Sequence, residues 1–188
     1  MKKVLFTVLA ILCIVSVTSA QKKMAISIQG GIAMPMGDFS DAEYKMGFGG
    51  TGTFIYNVND NLGITASAGY FTWSNDIFEN TSFSDIPILG GVRFAFGKGN
   101  FKPYILGEIG MHLLSFSYEI PSYSYGGVTY GGGDESDSES KFGFGFGGGF
   151  MLPLGKMNLD VTAKYVIVSG DYIDLNYLQI VGGVAFPL

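Results

Sequence analysis

The sequence predicts an all-β chain: eight antiparallel strands, wound up and down into a closed transmembrane barrel with its apolar face outward. Three observations predict it. Large and small residues alternate along almost every segment. The connections alternate between short and long. The few charges in the strands fall on one face. A chain of 188 residues is enough for one domain. Hydrophobic residues make up 47% and charged residues only 14%, where soluble domains carry about 25% charged residues. The 29 glycines are roughly twice the usual share of about 7%. Disorder is excluded, because it needs low hydrophobicity and high charge.

The first twenty residues stand apart. Lys2 and Lys3 precede an apolar run, Val4 to Val17, and Thr18-Ser19-Ala20 supplies small residues before Gln21. This pattern predicts a secretory signal peptide over 1–20, cleaved after Ala20, with a barrel domain over 21–188. A membrane-anchor helix is the alternative, but the run is short of the ~20 apolar residues a span needs. A lipoprotein site at Cys13 is rejected, because Leu12 before it is large and Cys13 lies inside the apolar run. Cleavage removes the lone Cys, and with it disulfide and thiol chemistry. It also removes two lysines, leaving 11 − 2 = 9 basic against 16 acidic residues, a charge of −7. That balance argues against nucleic acid as a partner. No apolar stretch long enough for a spanning helix follows, so a membrane-resident mature chain must be a barrel.

Period-2 alternation marks each strand in order. Met24, Ile26, Ile28, Ile32 and Met34 oppose Ala25, Ser27, Gln29, Gly31 and Ala33. Phe48, Phe54 and Tyr56 oppose Gly47, Gly49, Thr51 and Thr53. Leu62, Ile64, Ala66, Ala68 and Tyr70 oppose Gly63, Thr65, Ser67 and Gly69. Ile86, Ile88, Val92, Phe94 and Phe96 oppose Gly91, Arg93 and Ala95. Ile105, Ile109, Met111 and Leu113 oppose Tyr104, Glu108, Gly110 and His112. In KFGFGFGGGFMLPL, Phe142, Phe144, Phe146 and Phe150 oppose Gly143, Gly145, Gly147 and Gly149. Leu159, Val161, Ala163, Tyr165 and Ile167 oppose Asn158, Asp160, Thr162 and Lys164. Leu178, Ile180, Val184 and Phe186 oppose Tyr177, Gln179, Gly183 and Ala185. Segments of about 9–13 residues suit tilted bilayer-crossing strands, which need about 9–11; globular strands are nearer 5–6. The connections at 57–61, 97–100 and 153–157 are short. Those at 35–45, 74–84, 115–140 and 169–174 are long. Short periplasmic turns alternating with long extracellular loops mark an outer-membrane barrel, with both termini periplasmic.

The charges decide which face looks where. Arg93, Glu108, Asp160 and Lys164 share a face with Gln29, Gln179 and Tyr104. A Lys or Arg facing lipid costs about 2–4 kcal/mol at the midplane. The lower-energy arrangement turns this set inward as a polar network, with the apolar face toward lipid. A soluble, lipocalin-like barrel is the alternative. Its exterior would then be rich in Gly, Ala and Ser with few charges, where soluble surfaces want roughly 25–35%. Eight strands leave a lumen just wide enough for side chains to fill, so a wide diffusion channel is not expected. Trp73, Tyr70 and Phe71, beside the second long loop, fit an aromatic girdle at the membrane interface.

On strand number, alternation and loop order, residues 21–188 resemble the small eight-stranded outer-membrane barrels of the OmpX and OmpA-transmembrane type. Such proteins end in an aromatic residue after alternating apolar ones, which the barrel-assembly machinery reads. Here Ile180, Val184, Phe186 and Leu188 hold that spacing, with Leu last and Pro187 before it. The Ser-Ala-Gln-Lys junction and Met34-Pro35-Met36-Gly37-Asp38-Phe39 look like Bacteroidetes-type members. The resemblance implies outer-membrane lipid and lipopolysaccharide as surroundings, the assembly machinery as a partner in biogenesis, and an envelope-complex protein as a further partner. OmpA relatives often carry a periplasmic peptidoglycan-binding domain; this sequence stops at the barrel, so that tethering role is not expected.

Two stretches match G-x-G-x-x-G: Gly47, Gly49, Gly52 and Gly143, Gly145, Gly148. Neither opens a helix, as a phosphate site requires, so no cofactor is expected. His112 is the lone histidine, so a multi-histidine metal site is not expected. The loop 115–140 carries Tyr118, Tyr123, Tyr125 and Tyr130, then Asp134, Glu135, Asp137 and Glu139. Tyr, Ser and Gly suit adaptable recognition, while the acids lack EF-hand spacing. The expected function is non-enzymatic: a structural, adhesion or accessory-subunit role with specificity in this loop. A narrow channel for small or hydrophobic molecules is the alternative, and a lipid-modifying enzyme using His112 the remote one.

Overall fold

The computed structural model describes residues 23–41, 44–75, 81–96, 100–120, 123–126, 128–130, 133–169 and 174–188. The expected signal peptide, 1–20, lies outside the described residues. Ten strands follow in order: β1 (Met24–Met36), β2 (Gly47–Asn57), β3 (Leu62–Ser74), β4 (Thr81–Ala95), β5 (Lys102–Ile120), β6 (Tyr123–Tyr125), β7 (Val128–Tyr130), β8 (Gly133–Leu154), β9 (Met157–Val168) and β10 (Leu175–Pro187). One turn of helix, α1 (Asp38–Asp41), follows β1. Eight of the strands close into an antiparallel barrel, β1-β10-β9-β8-β5-β4-β3-β2, and β6 pairs with β7 as a small hairpin apart from it. Closure is made by β1 and β10, paired from Ala25↔Pro187 to Met36↔Asn176.

The sequence phases hold around the ring. Ile28, Phe48, Ile64, Ile88, Ile105, Ile109 and Phe142 are all more than half exposed on the outer wall. Ser27, Gln29, Thr65, Ser67, Arg93, Glu108, Asp160 and Lys164 are buried within. An outer belt of large apolar side chains around a polar interior is the inverse of a soluble barrel. It suits lipid outside. No described helix is long and apolar enough to cross a membrane; the strands do the crossing.

Inward glycines let the strands come close. A Cβ on Gly183 would meet the backbone of Ile28 and lie 2.7 Å from the Cα of Gln29. One on Gly147 would lie 2.5 Å from the Cα of Lys164. Gly155 has φ +67° and sits in the tight turn between β8 and β9, a conformation that suits glycine. Pro87 is inside β4. The β3–β4 ladder runs to Ala68↔Ile88 and resumes at Phe71↔Asp85. Proline has no N–H to donate, which accounts for the gap.

Two expectations are corrected here. First, 115–140 is mostly strand. β5 and β8 pair from Lys102↔Met151 to Ile120↔Gly133, and β4 follows as far as Thr81↔Tyr118. Alternating Ser, Phe and acidic residues can pair as a ladder once clear of lipid, because strand pairing needs no apolar face in water. The Pro35–Lys45 connection likewise starts later than expected, at Gly37. Second, Phe71 and Trp73 do not form a girdle. They continue the inward phase of Thr65 and Ser67 and are almost wholly buried, while Tyr70 points outward, 51% exposed.

The glycines yield a paired prediction. Gly183→Val is expected to cost about 3 kcal/mol or more through overpacking. Nothing lies within 4 Å of a Cβ on outward Gly90, so Gly90→Ala should fall within about 0.5 kcal/mol of the parent. Urea unfolding of the refolded barrel, followed by the faster gel migration of its unheated form, measures both. Equal midpoints for the two variants would contradict the close-approach account.

Candidate functional site: the barrel lumen and the projecting hairpin

The lumen divides into two halves along the barrel axis. The half near the short turns is polar. Lys164 Nζ donates to Glu108 Oε2 at 2.6 Å, and Ser67 Oγ donates to Glu108 Oε1 at 3.0 Å. Asp160 pairs with no cation among the described residues. It accepts from Tyr104 OH at 2.6 Å on Oδ1 and from Ser27 Oγ at 2.7 Å on Oδ2. Gln29 Nε2 donates to Asp160 O at 3.2 Å and to Thr162 Oγ1 at 3.0 Å. Arg93 lies over the Tyr104 ring, 4.9 Å from its centroid, and donates to Met151 Sδ at 3.2 Å. Gln179 is almost fully buried, and neither amide atom has a partner. The six residues expected inside thus lie in the same half of the lumen, and they surround a void of about 30 Å³.

The other half is a hydrophobic plug. Phe39 from α1 drops into the mouth and meets Trp73 and Phe83 edge-on, centroids 5.5 Å away in both cases. Trp73 packs on Tyr177 at 5.2 Å, and its Nε1 donates to Ala33 O at 2.9 Å. Phe71, Leu114, Val166, Val168 and Leu175 complete the cluster. Tyr44 stacks on Phe39 at 4.8 Å, and burial pushes its phenol pKa up.

Between the halves lies a cluster the sequence does not advertise. Asp85 Oδ2 is 2.8 Å from His112 Nδ1 and accepts from Tyr177 OH at 2.9 Å. All three side chains are fully buried. His112 thus has its Nδ1 committed to a carboxylate. Among the described residues no group of three or more metal-ligating side chains exists. Both G-x-G-x-x-G stretches run within strands, β2 and β8.

On the opposite rim β5 and β8 project together. β8 loses β9 beyond Gly143↔Val168 but keeps β5 to its start at Gly133. Of the expected recognition residues, Asp137 and Glu139 are exposed on this projection. Glu139 bonds Lys141 at 2.7 Å. The backbones of Tyr118, Tyr123, Tyr125, Tyr130, Asp134 and Glu135 belong to β5, β6, β7 and β8; their side chains lie outside the described residues.

Comparison with known proteins agrees with this architecture. The family model for the outer membrane protein beta-barrel domain matches residues 5–186. Among solved structures the chain is similar to Neisserial surface protein A (NspA), with 17% identity, a TM-score of 0.64, and coverage of 91% of this chain and 100% of that one. It is also similar to Ail, the attachment invasion locus protein of Yersinia pestis, with 17% identity, a TM-score of 0.54, and coverage of 87% and 96%. The same Yersinia protein in complex with the heparin analogue sucrose octasulfate gives 18% identity and a TM-score of 0.51, with the same coverage. At such identities the likeness shows the fold. No curated protein matches the sequence. The inverted barrel and a family match over nearly its whole length lead to one conclusion: the chain belongs to the outer membrane protein beta-barrel domain family and resides in the outer membrane of a Gram-negative cell.

Proposed function

We propose that this is a non-enzymatic surface-recognition barrel whose contact region is the projecting β5–β8 hairpin. One observation carries the reading. The β5–β8 ladder continues from Met111↔Phe142 to Ile120↔Gly133 after β9 has left it. Strands that outrun the barrel hold a rigid sheet clear of the bilayer, where preorganised residues bind at lower entropic cost. The hairpin's Tyr and Ser content suits recognition. Its acids, Asp134, Glu135, Asp137 and Glu139, favour a basic partner surface on the host or in the envelope. They would repel a polysulfated ligand such as the one bound to Ail. Export by the general secretory route with removal of 1–20, and insertion by the barrel-assembly machinery, belong to the same reading.

The inner network has a structural role in this reading. A filled aromatic half-lumen favours a closed barrel over a narrow channel. The Asp85–His112–Tyr177 cluster is fully buried, which closes it to a lipid substrate.

Three outcomes are expected. Replacing 117–136 by a short Gly-Ser link should leave heat-shifted gel migration intact and abolish attachment of expressing cells to a surface the parent binds. Retained attachment would move the contact elsewhere. In planar bilayers the purified barrel should give no steady conductance; a steady open level would restore the channel reading. Lys164→Met should destabilise by about 3–5 kcal/mol, because Glu108 keeps a buried charge without its cation. Adding Glu108→Gln should recover most of that loss in urea unfolding, and a single variant as stable as the parent would deny the pair its role.

A further inference from the structure

We propose that the half-lumen near the short turns is a binding site for a small anion, a halide or a short carboxylate, reached from the periplasm. Hydrogen-bonding capacity carries the argument. Around the void, each carboxylate oxygen already accepts a bond: Glu108 from Ser67 and Lys164, Asp160 from Ser27 and Tyr104. Donors without a partner line the same space. Arg93 spends a single N–H on the soft acceptor Met151 Sδ, and the rest of its guanidinium fork has no partner among the described residues. A guanidinium carries several donors and no acceptor. Lys164 has N–H groups beyond the one on Glu108. Thr65 Oγ1 and the Gln179 amide, both more than nine-tenths buried, have no partner at all. All of these residues line the same void of about 30 Å³, room for about two water-sized species.

A small anion brings charge and acceptors with no donor, which suits the open N–H groups of Arg93 and of Gln179 Nε2. Charge points the same way locally. Lys164 is matched by Glu108 at 2.6 Å. Asp160 is held by neutral hydroxyls, and Arg93 is left with an aromatic face and a thioether. Arg93 reaches Asp160 only across Tyr104, so an anion at Arg93 would give its guanidinium the direct partner it lacks among the described residues. Access is from the short-turn rim, since Arg93 and Tyr104 lie near the ends of β4 and β5 there. The aromatic plug shuts the other end. In this family's architecture the short turns are periplasmic.

The test uses the full refolded barrel in detergent micelles. Its unfolding rate is followed by loss of the faster-migrating form at a fixed elevated temperature. Chloride and formate are titrated separately at constant ionic strength, balanced with gluconate, which is too bulky for the void. At an anion concentration ten times its Kd, the folded state gains a factor of about 11 in its equilibrium constant. The expected reading is a saturable slowing of roughly tenfold in chloride, in formate, or in both, and the tighter of the two names the source. Arg93→Gln should lose the slowing. Should that variant fail to refold, Gln179→Met tests the same site from the other side and should weaken binding. Rates that match gluconate throughout, or slowing undiminished in whichever variant folds, would overturn the site.

Discussion

Backbone hydrogen bonding in lipid is the constraint on which this structure depends. Hydrocarbon offers no partner for an exposed N–H or C=O, so a sheet that spans a bilayer must have no edge there. The β1–β10 ladder, Ala25↔Pro187 through Met36↔Asn176, removes the last one. Once eight strands close, the diameter of the lumen follows, and so does much of the sequence. A lumen that narrow cannot hold a large side chain at every inward position. Gly31, Gly49, Gly91, Gly110, Gly147, Gly149 and Gly183 leave the space that Tyr104, Glu108, Lys164, Phe71 and other neighbours occupy. The glycine content and the polar interior are thus consequences of the same closure.

The interior resolves the demands of burial differently at its two ends. Near the short turns, charges are kept by pairing and hydroxyl donation, since an unpaired buried ion is costly. Near the long loops the inward positions carry Phe, Trp, Val and Leu, and α1 supplies Phe39 as a cork. Asp85, His112 and Tyr177 form the seam. Tyr177 presents its ring to Phe71 and Trp73 and its hydroxyl to Asp85, so one side chain belongs to both halves. A hydrophobic plug thus lies over a polar chamber.

Much of this was legible from period-2 alternation alone, because lipid on one face and a crowded lumen on the other impose opposite demands on neighbouring residues. The faces of Arg93, Glu108, Asp160 and Lys164 could be read from their apolar flanks. The facing of Phe71 and Trp73 could not be read from composition, since aromatics near a loop suit both a membrane interface and a lumen. Extending the phase of Thr65 and Ser67 by two or three further steps was the signal available. The Asp85–His112 and Asp85–Tyr177 contacts join residues 27 and 92 positions apart. Only the register of β4, β5 and β10 brings them together, and alternation does not fix register between strands. The β5–β8 extension escaped for another reason. Beyond the bilayer a strand no longer needs an apolar face, so its pattern reads as loop.

That extension reintroduces the edge that closure removes. Residues 133–142 of β8 are bonded to β5 on one side, and among the described residues no strand pairs with the other. A long edge is a template for aggregation unless something blunts it. Acid residues serve that purpose here. Asp134, Glu135, Asp137 and Glu139 against the lone Lys141 give the segment a surplus of negative charge. Two copies meeting edge to edge would bring those acids face to face, and like charges directly opposite destabilise a strand pair. In water that repulsion disfavours pairing of the edge with a second copy of itself. Under the proposed recognition role, the charge that protects the strand from self-association would also select what it can hold, so protection and selectivity would be one property of the hairpin.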